Sequence, residues 1–153
     1  MKELANRHKT VIVEVGDCRE EIDEALALLI AAIWKFGINT IMCCQETDPG
    51  IAWIEFDSID DLQAFLNTVA RYEPGVYTLY HRINYQLTGK ISSPIWEYQL
   101  NLPDLNQCDS YQGATRLDVT VGVYFPVSDI PEILDRLSEA VVASEQRGGY
   151  SRP

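Results

Sequence analysis

Hydrophobic residues in the first third of the chain recur with the period of a helix. After Asp17, apolar residues return every three or four positions, forming a main stripe with a second row beside it: Ile22, Leu26, Leu29 and Ile33, then Ala25, Leu28, Ala32 and Phe36. This spacing predicts one long helix over residues 18–36. Asp17 and Glu20 have capping-box spacing at its start, and Gly37 can take the left-handed conformation that ends a helix.

The second half of this predicted helix is apolar nearly all round. Ile30 and Trp34 lie off the main stripe, where a helix on the surface of a monomer carries polar residues. We therefore expect both sides of the helix to be covered, either by another segment of the chain or by a second copy of it.

Alternating apolar and polar positions predict five strands, at residues 10–15, 38–44, 51–57, 96–102 and 117–125. Asp48-Pro49-Gly50 predicts a tight turn between the second and third of these strands. Residues 103–114 form a polar stretch that we expect to be a loop.

Three further segments have helical spacing. Ser58 is expected to cap the first of them, with Asp61 at capping-box distance. Residues 76–88 fit a strand or a helix, and the flanking proline and glycine favour a helix. The last helix is expected to begin after Ser128 or Asp129.

The order of these elements predicts an α+β fold of the ferredoxin-like sandwich type, with helices packed on one face of a mostly antiparallel sheet. Strand 10–15, the long helix and strand 38–44 should form a right-handed crossover, with strand 51–57 between the two strands. The length of 153 residues indicates a single domain. We place that domain at residues 10–145, between an N-terminal tail at 1–9 and a C-terminal tail at 146–153.

The net charge of −11 makes nucleic acid a poor partner, because such a surface repels phosphate groups. It is typical of a well-solvated surface, or of one that docks on a basic protein. The sequence has no apolar run long enough to cross a membrane and no signal-peptide pattern at its start, so we expect a cytoplasmic protein. The four cysteines fit no zinc-binding spacing and are expected to be free thiols, and we expect neither a metal nor a cofactor.

One surface of the predicted sheet carries the candidate functional residues. If strand 51–57 lies between its neighbours, Glu14 and Trp53 come near the end of strand 38–44. Successive side chains in a strand point to opposite faces, so only one of the adjacent cysteines can face this group. The expected ligand-binding residues are Glu14, Cys43, Cys44, Gln45, Trp53 and Glu55. The alternative interpretation is that the cysteines are small core residues and that the acidic residues form a solvated face.

A short motif in this region resembles a group of uncharacterised bacterial and phage proteins, in which a leucine-rich helix precedes G-x-x-T and a Ser-Cys-x-Gly step. Gly37, Thr40 and Cys44 match that pattern, whereas Cys43 replaces the serine and Glu46 replaces the glycine. The resemblance covers residues 22–57, implies an α+β domain and brings no known activity.

Three functions are compatible with the sequence. The first is a non-enzymatic binding or regulatory module that self-associates and binds a small molecule or a basic protein. The second is a thiol-dependent enzyme that uses Cys43 or Cys44, with His81 as the base. The third is an acidic inhibitor or immunity-type protein. We assign no catalytic residue.

Overall fold

The computed structural model describes residues 8–74, 78–84, 96–102 and 119–148. The strands in these ranges are β1 (Thr10–Val15), β2 (Cys18–Asp23), β3 (Thr40–Asp48), β4 (Ile51–Phe56), β5 (Glu97–Asn101) and β6 (Thr120–Pro126). The helices are α1 (Ala27–Lys35), α2 (Ile59–Val69), α3 (Leu79–Ile83) and α4 (Ile130–Gly148). Short 3-10 turns at Glu24–Leu26 and Val127–Asp129 lead into α1 and α4.

The first part of the predicted long helix is a strand instead. β2 pairs with β1 in an antiparallel hairpin whose register runs from Val15 opposite Cys18 to Thr10 opposite Asp23. Gly16 has a φ of 57°. Two-residue hairpin turns need a positive φ at this position, and glycine adopts it more readily than other residues do. The predicted helix start, with Asp17 in a capping box, is therefore wrong. Segment 18–23 contains only one residue of the helical stripe, Ile22, and Ile22 fits the strand equally well because it pairs with Val11.

The hairpin covers one side of α1. Leu29, Ile30 and Ile33 of this helix have no exposed surface, and they share one core cluster with Val13 and Ile22 of the hairpin. α1 also packs against α4. This chain's own segments therefore cover Ile30, as expected, and leave Trp34 half-buried, whereas Leu28 of the predicted second row is 75% exposed.

α1 ends as the sequence predicts. Gly37 has a φ of 75°, and its N–H donates to the carbonyl of Trp34 at 2.9 Å, while the N–H of Ile38 donates to the carbonyl of Ile33 at 3.4 Å. These two bonds form a Schellman motif, which satisfies carbonyls at the end of the helix. The Trp34 indole Nε1 donates to Thr40 Oγ1 at 2.9 Å and so links the helix to β3.

The main sheet has four strands in the order β3-β4-β6-β5, and every described pair is antiparallel. The α+β class is therefore confirmed. The predicted crossover from residues 10–15 into this sheet is wrong, because β1 pairs with β2 in a sheet of its own. β4 consequently lies between β3 and β6, not beside β1.

Alternation along β4 and β6 separates the two faces of the sheet. The buried face carries Ala52, Ile54 and Phe56 of β4, with Val121, Val123 and Phe125 of β6. α2 packs against both of these strands, and α4 packs against α2 and α1. The other face carries polar and aromatic residues, which include the predicted site residues Trp53 and Glu55: Trp53, Glu55, Glu97, Gln99, Thr120 and Tyr124.

The remaining local predictions concern turns and helix ends. The turn before β4 is present, and Gly50 has a φ of 76°. Ser58 caps α2 by accepting a bond from the N–H of Asp61 at 3.1 Å, as predicted. α3 confirms the helical alternative over the described part of 76–88, and the predicted loop at 103–114 lies outside the described residues. α4 continues to Gly148, into the segment predicted to be a tail. No helix in the described ranges is long and apolar enough to cross a membrane.

A buried ion pair joins α3 to the start of α4. The Arg82 guanidinium donates to both carboxylate oxygens of Asp129, at 3.2 and 2.7 Å, and the Trp96 indole donates to the same carboxylate at 2.9 Å. Asp129 and Trp96 are buried. Three donors to one buried carboxylate fix the corner between β6 and α4 relative to α3.

Replacing Ile30 by alanine tests this packing of α1. Ile30 has no exposed surface, whereas Leu28, two residues earlier in the same helix, is 75% exposed. We expect Ile30→Ala to lower the free energy of unfolding by about 2–5 kcal/mol, and the control Leu28→Ala to change it by about 0.5 kcal/mol or less. Urea unfolding of the two variants measures both values, and equal losses would contradict the burial of Ile30.

Candidate functional site

Gln45 joins the hairpin to the main sheet. Its backbone N–H donates to Asp23 Oδ2 at 2.9 Å, and its side-chain Oε1 accepts from the N–H of Ala25 at 3.1 Å. Its side-chain nitrogen lies 3.1 Å from Nδ1 of His8. One residue of β3 therefore holds the segment before β1, the end of β2 and the turn that follows β2.

Three possible metal ligands converge beside Gln45. His8, Asp23 and Cys44 each offer one ligand atom, and these atoms all lie within 4.8 Å of one another. All three residues are half-buried. They come from three segments that are distant in sequence, so no motif of closely spaced ligands could identify them. The expectation of no metal rested on the absence of such a motif.

The two adjacent cysteines point to opposite sides of the sheet, as strand geometry requires. Cys44 pairs with Trp53 on the polar face, and Cys43 pairs with Ile54 and packs against the core. Burial, the carboxylate of Asp23 and the neighbouring Cys44 raise the pKa of Cys43 to about 12. Cys43 is therefore a protonated thiol at neutral pH, whereas nucleophilic attack needs a thiolate.

The Trp53 indole lies across Gly122 of the neighbouring strand. A Cβ atom at position 122 would lie 2.7 Å from Nε1 of Trp53, which is closer than Cβ atoms come to other heavy atoms in proteins. The Tyr124 ring lies beside the indole, with the two ring centroids 6.3 Å apart. Because Gly122 has no side chain, the Trp53 indole can lie directly against the sheet at this position.

Glu55 occupies the same face, two residues beyond Trp53. Its Oε1 accepts hydrogen bonds from Asn101 Nδ2 at 2.8 Å and from Thr120 Oγ1 at 2.6 Å. Two donors from the neighbouring part of the sheet therefore hold this carboxylate in place.

Glu14 does not belong to the sheet that carries Trp53. It lies on the hairpin, where its carboxylate and Arg19 form an exposed ion pair at 3.4 Å. Its predicted place beside Trp53 followed from the assumption that β1 joins the main sheet, and that assumption is wrong.

The imidazole that lies near a cysteine is His8, not the predicted His81. His81 belongs to α3, where its Nδ1 lies 2.6 Å from Thr78 Oγ1 and its ring packs edge-on against Tyr80. His8 belongs to the segment predicted as an N-terminal tail. Asp23 ends β2, a strand that lies where the sequence predicts helix.

The arrangement of His8, Asp23 and Cys44 differs from that of a nucleophilic triad. In a triad, the imidazole stands between the carboxylate and the nucleophile and bonds to each over about 2.6–3.2 Å. The carboxylate and the sulfur are then separated by a whole ring and two hydrogen bonds. Here the Asp23 and Cys44 ligand atoms are within 4.8 Å of each other, so the three groups surround a point instead of forming a relay.

The chain matches no protein-family model, and comparisons with curated proteins and with solved structures gave no significant match. The resemblance of residues 22–57 to uncharacterised bacterial and phage proteins stays a prediction.

Alanine at position 122 tests how Trp53 lies on the sheet. The added Cβ would collide with the indole, and we expect Gly122→Ala to lower the free energy of unfolding by about 1–3 kcal/mol. In a Trp53→Ala background there is no indole to collide with, so Gly122→Ala should lower the free energy of unfolding much less. A double-mutant cycle by urea unfolding gives the coupling free energy between positions 53 and 122. A coupling free energy of zero would show that the indole does not lie over Gly122.

Proposed function

We propose that this chain is a non-enzymatic binding module that self-associates through β3 and carries its ligand site on the same strand. The observation that carries the proposal is the free edge of β3. Among the described strands β3 pairs with β4 alone, and its side chains Ile41 and Met42 are 47% and 59% exposed. An exposed apolar edge strand is a template for pairing with another chain.

A second copy of this chain suits that edge. Two antiparallel copies of one strand can pair about a two-fold axis, in which each contributes the same residues. The hairpin covers the edge at Gln45 through the bond from its N–H to Asp23. The part available for pairing is therefore the stretch before Gln45, where the two exposed apolar side chains lie.

The surroundings of the cysteines favour binding over thiol chemistry. Cys43 faces the core with a raised pKa, and the group around Cys44 surrounds a point instead of forming a proton relay. Cys18, Cys43 and Cys44 are free thiols, which supports the proposal of a reducing, cytoplasmic location.

A lysine at position 42 tests the self-association. A charge in a paired edge would be desolvated or would face its own copy, so we expect Met42→Lys to raise the dimer dissociation constant by tenfold or more. The matched control is Leu100→Lys on β5, the opposite edge of the sheet, where the side chain is 63% exposed. Light scattering coupled to size-exclusion chromatography, over a concentration series, gives the constant for each protein.

Two outcomes would count against this function. A wild-type chain that stays monomeric at high micromolar concentration removes self-association altogether. A dimer weakened equally by Met42→Lys and Leu100→Lys places the interface elsewhere than on β3.

A further inference from the structure

We propose that His8, Asp23 and Cys44 bind one divalent transition-metal ion of the zinc class, with a fourth coordination position left open. The inference names the ligand of the binding module proposed above and in that respect rests on it. It does not depend on self-association, which light scattering tests separately.

The three side chains supply a donor set that zinc uses in proteins. An imidazole nitrogen, a thiolate sulfur and a carboxylate oxygen are its ordinary ligands. Bonds of about 2.0–2.3 Å in a tetrahedron place the ligand atoms roughly 3.3–3.8 Å apart. The three atoms are already within 4.8 Å of one another, so small side-chain rotations bring them to coordinating distances.

The charges of this group balance a divalent ion. Asp23 contributes one negative charge, and Cys44 contributes a second when the metal displaces the proton of its thiol. His8 binds as a neutral imidazole. The metal–sulfur bond thus replaces the sulfur–hydrogen bond, one proton goes to solvent, and the occupied site has no net charge.

Gln45 positions two of the three ligands. Its backbone N–H donates to one oxygen of the Asp23 carboxylate and leaves the other oxygen for the ion, while its side-chain nitrogen lies 3.1 Å from Nδ1 of His8 and Cys44 precedes it directly in β3. Partners that orient a ligating carboxylate in this way are typical of metal sites and affect their affinity strongly. An incidental polar contact between the hairpin and the sheet does not require a donor set of this kind around one point.

A bound ion would join the hairpin to the main sheet. His8 and Asp23 lie at the start and the end of the hairpin, and Cys44 lies in β3. An ion that binds the folded chain and not the unfolded one raises the unfolding temperature, and the rise grows with the logarithm of its concentration relative to its dissociation constant. Metal binding should therefore appear as thermal stabilisation as well as in spectra.

The experiment uses the full chain, stripped of metal with a chelator, desalted and kept reduced with a phosphine. Cobalt(II) is titrated first, because its visible bands report tetrahedral geometry and its near-ultraviolet band reports a sulfur ligand. Zinc(II) then displaces the cobalt and gives its own affinity. We expect one ion per chain and a rise in the unfolding temperature with zinc.

Substitutions of the ligands and a matched thiol control locate the ion. Cys44→Ser should abolish the sulfur-to-cobalt band and weaken zinc binding at least tenfold, and Asp23→Asn should weaken zinc binding at least tenfold while retaining that band. The control Cys18→Ser makes the same chemical change at an exposed cysteine of β2 and should leave affinity and spectrum unchanged.

A measurement on the wild-type chain keeps the test decisive if a variant fails to fold. Zinc should slow iodoacetamide labelling of Cys44 and leave that of Cys18 unchanged, as read by peptide mass spectrometry. Absence of any cobalt band and of any stabilisation by zinc would overturn the proposal, as would a Cys44→Ser variant that binds like the wild type. If such a result accompanies an intact dimer, the metal site alone fails and the proposed self-association stands.

Discussion

The burial of α1 is the interaction on which the rest of this structure depends. This nine-residue helix is too short to be stable alone in water, and an isolated two-stranded hairpin is equally marginal. Each stabilises the other, because Leu29, Ile30 and Ile33 are removed from water between the hairpin, α4 and the rest of the core. The chain thus covers Leu29, Ile30 and Ile33 of its most apolar segment with its own elements, and Leu28 of the same helix stays exposed.

The position of the candidate site follows from that packing. When the hairpin lies over α1, the end of β2 comes against the edge of β3, and Gln45 bonds to Asp23, Ala25 and His8 there. His8, Asp23 and Cys44 meet only because the hairpin is docked. A substitution that loosens the hairpin therefore separates these three side chains without altering any of them. Conversely, an ion held by all three stabilises the docked hairpin by the same free energy that docking contributes to binding the ion.

Features decided by neighbouring residues were predictable from the sequence. The helix end at Gly37, the cap at Ser58 and the two faces of β4 depend on local spacing and backbone conformation, and all are present. The division between 18–23 and α1 was not predictable from periodicity, because Ile22 satisfies both the helical stripe and the strand. That one error moved Glu14 onto the wrong sheet. It also concealed Asp23, whose place depends on contacts with a strand about twenty residues away.

The proposed metal site and the proposed pairing edge lie close together on β3. Cys44 points to the polar face and lies two residues beyond Met42, on the stretch whose free edge is proposed to pair. β3 is irregular on either side of these residues, with shifts in pairing between Thr40 and Met42 and again after Cys44. If an ion at Cys44 alters how that edge pairs, it changes the dimerisation constant by the same factor with which dimerisation changes the affinity for the ion.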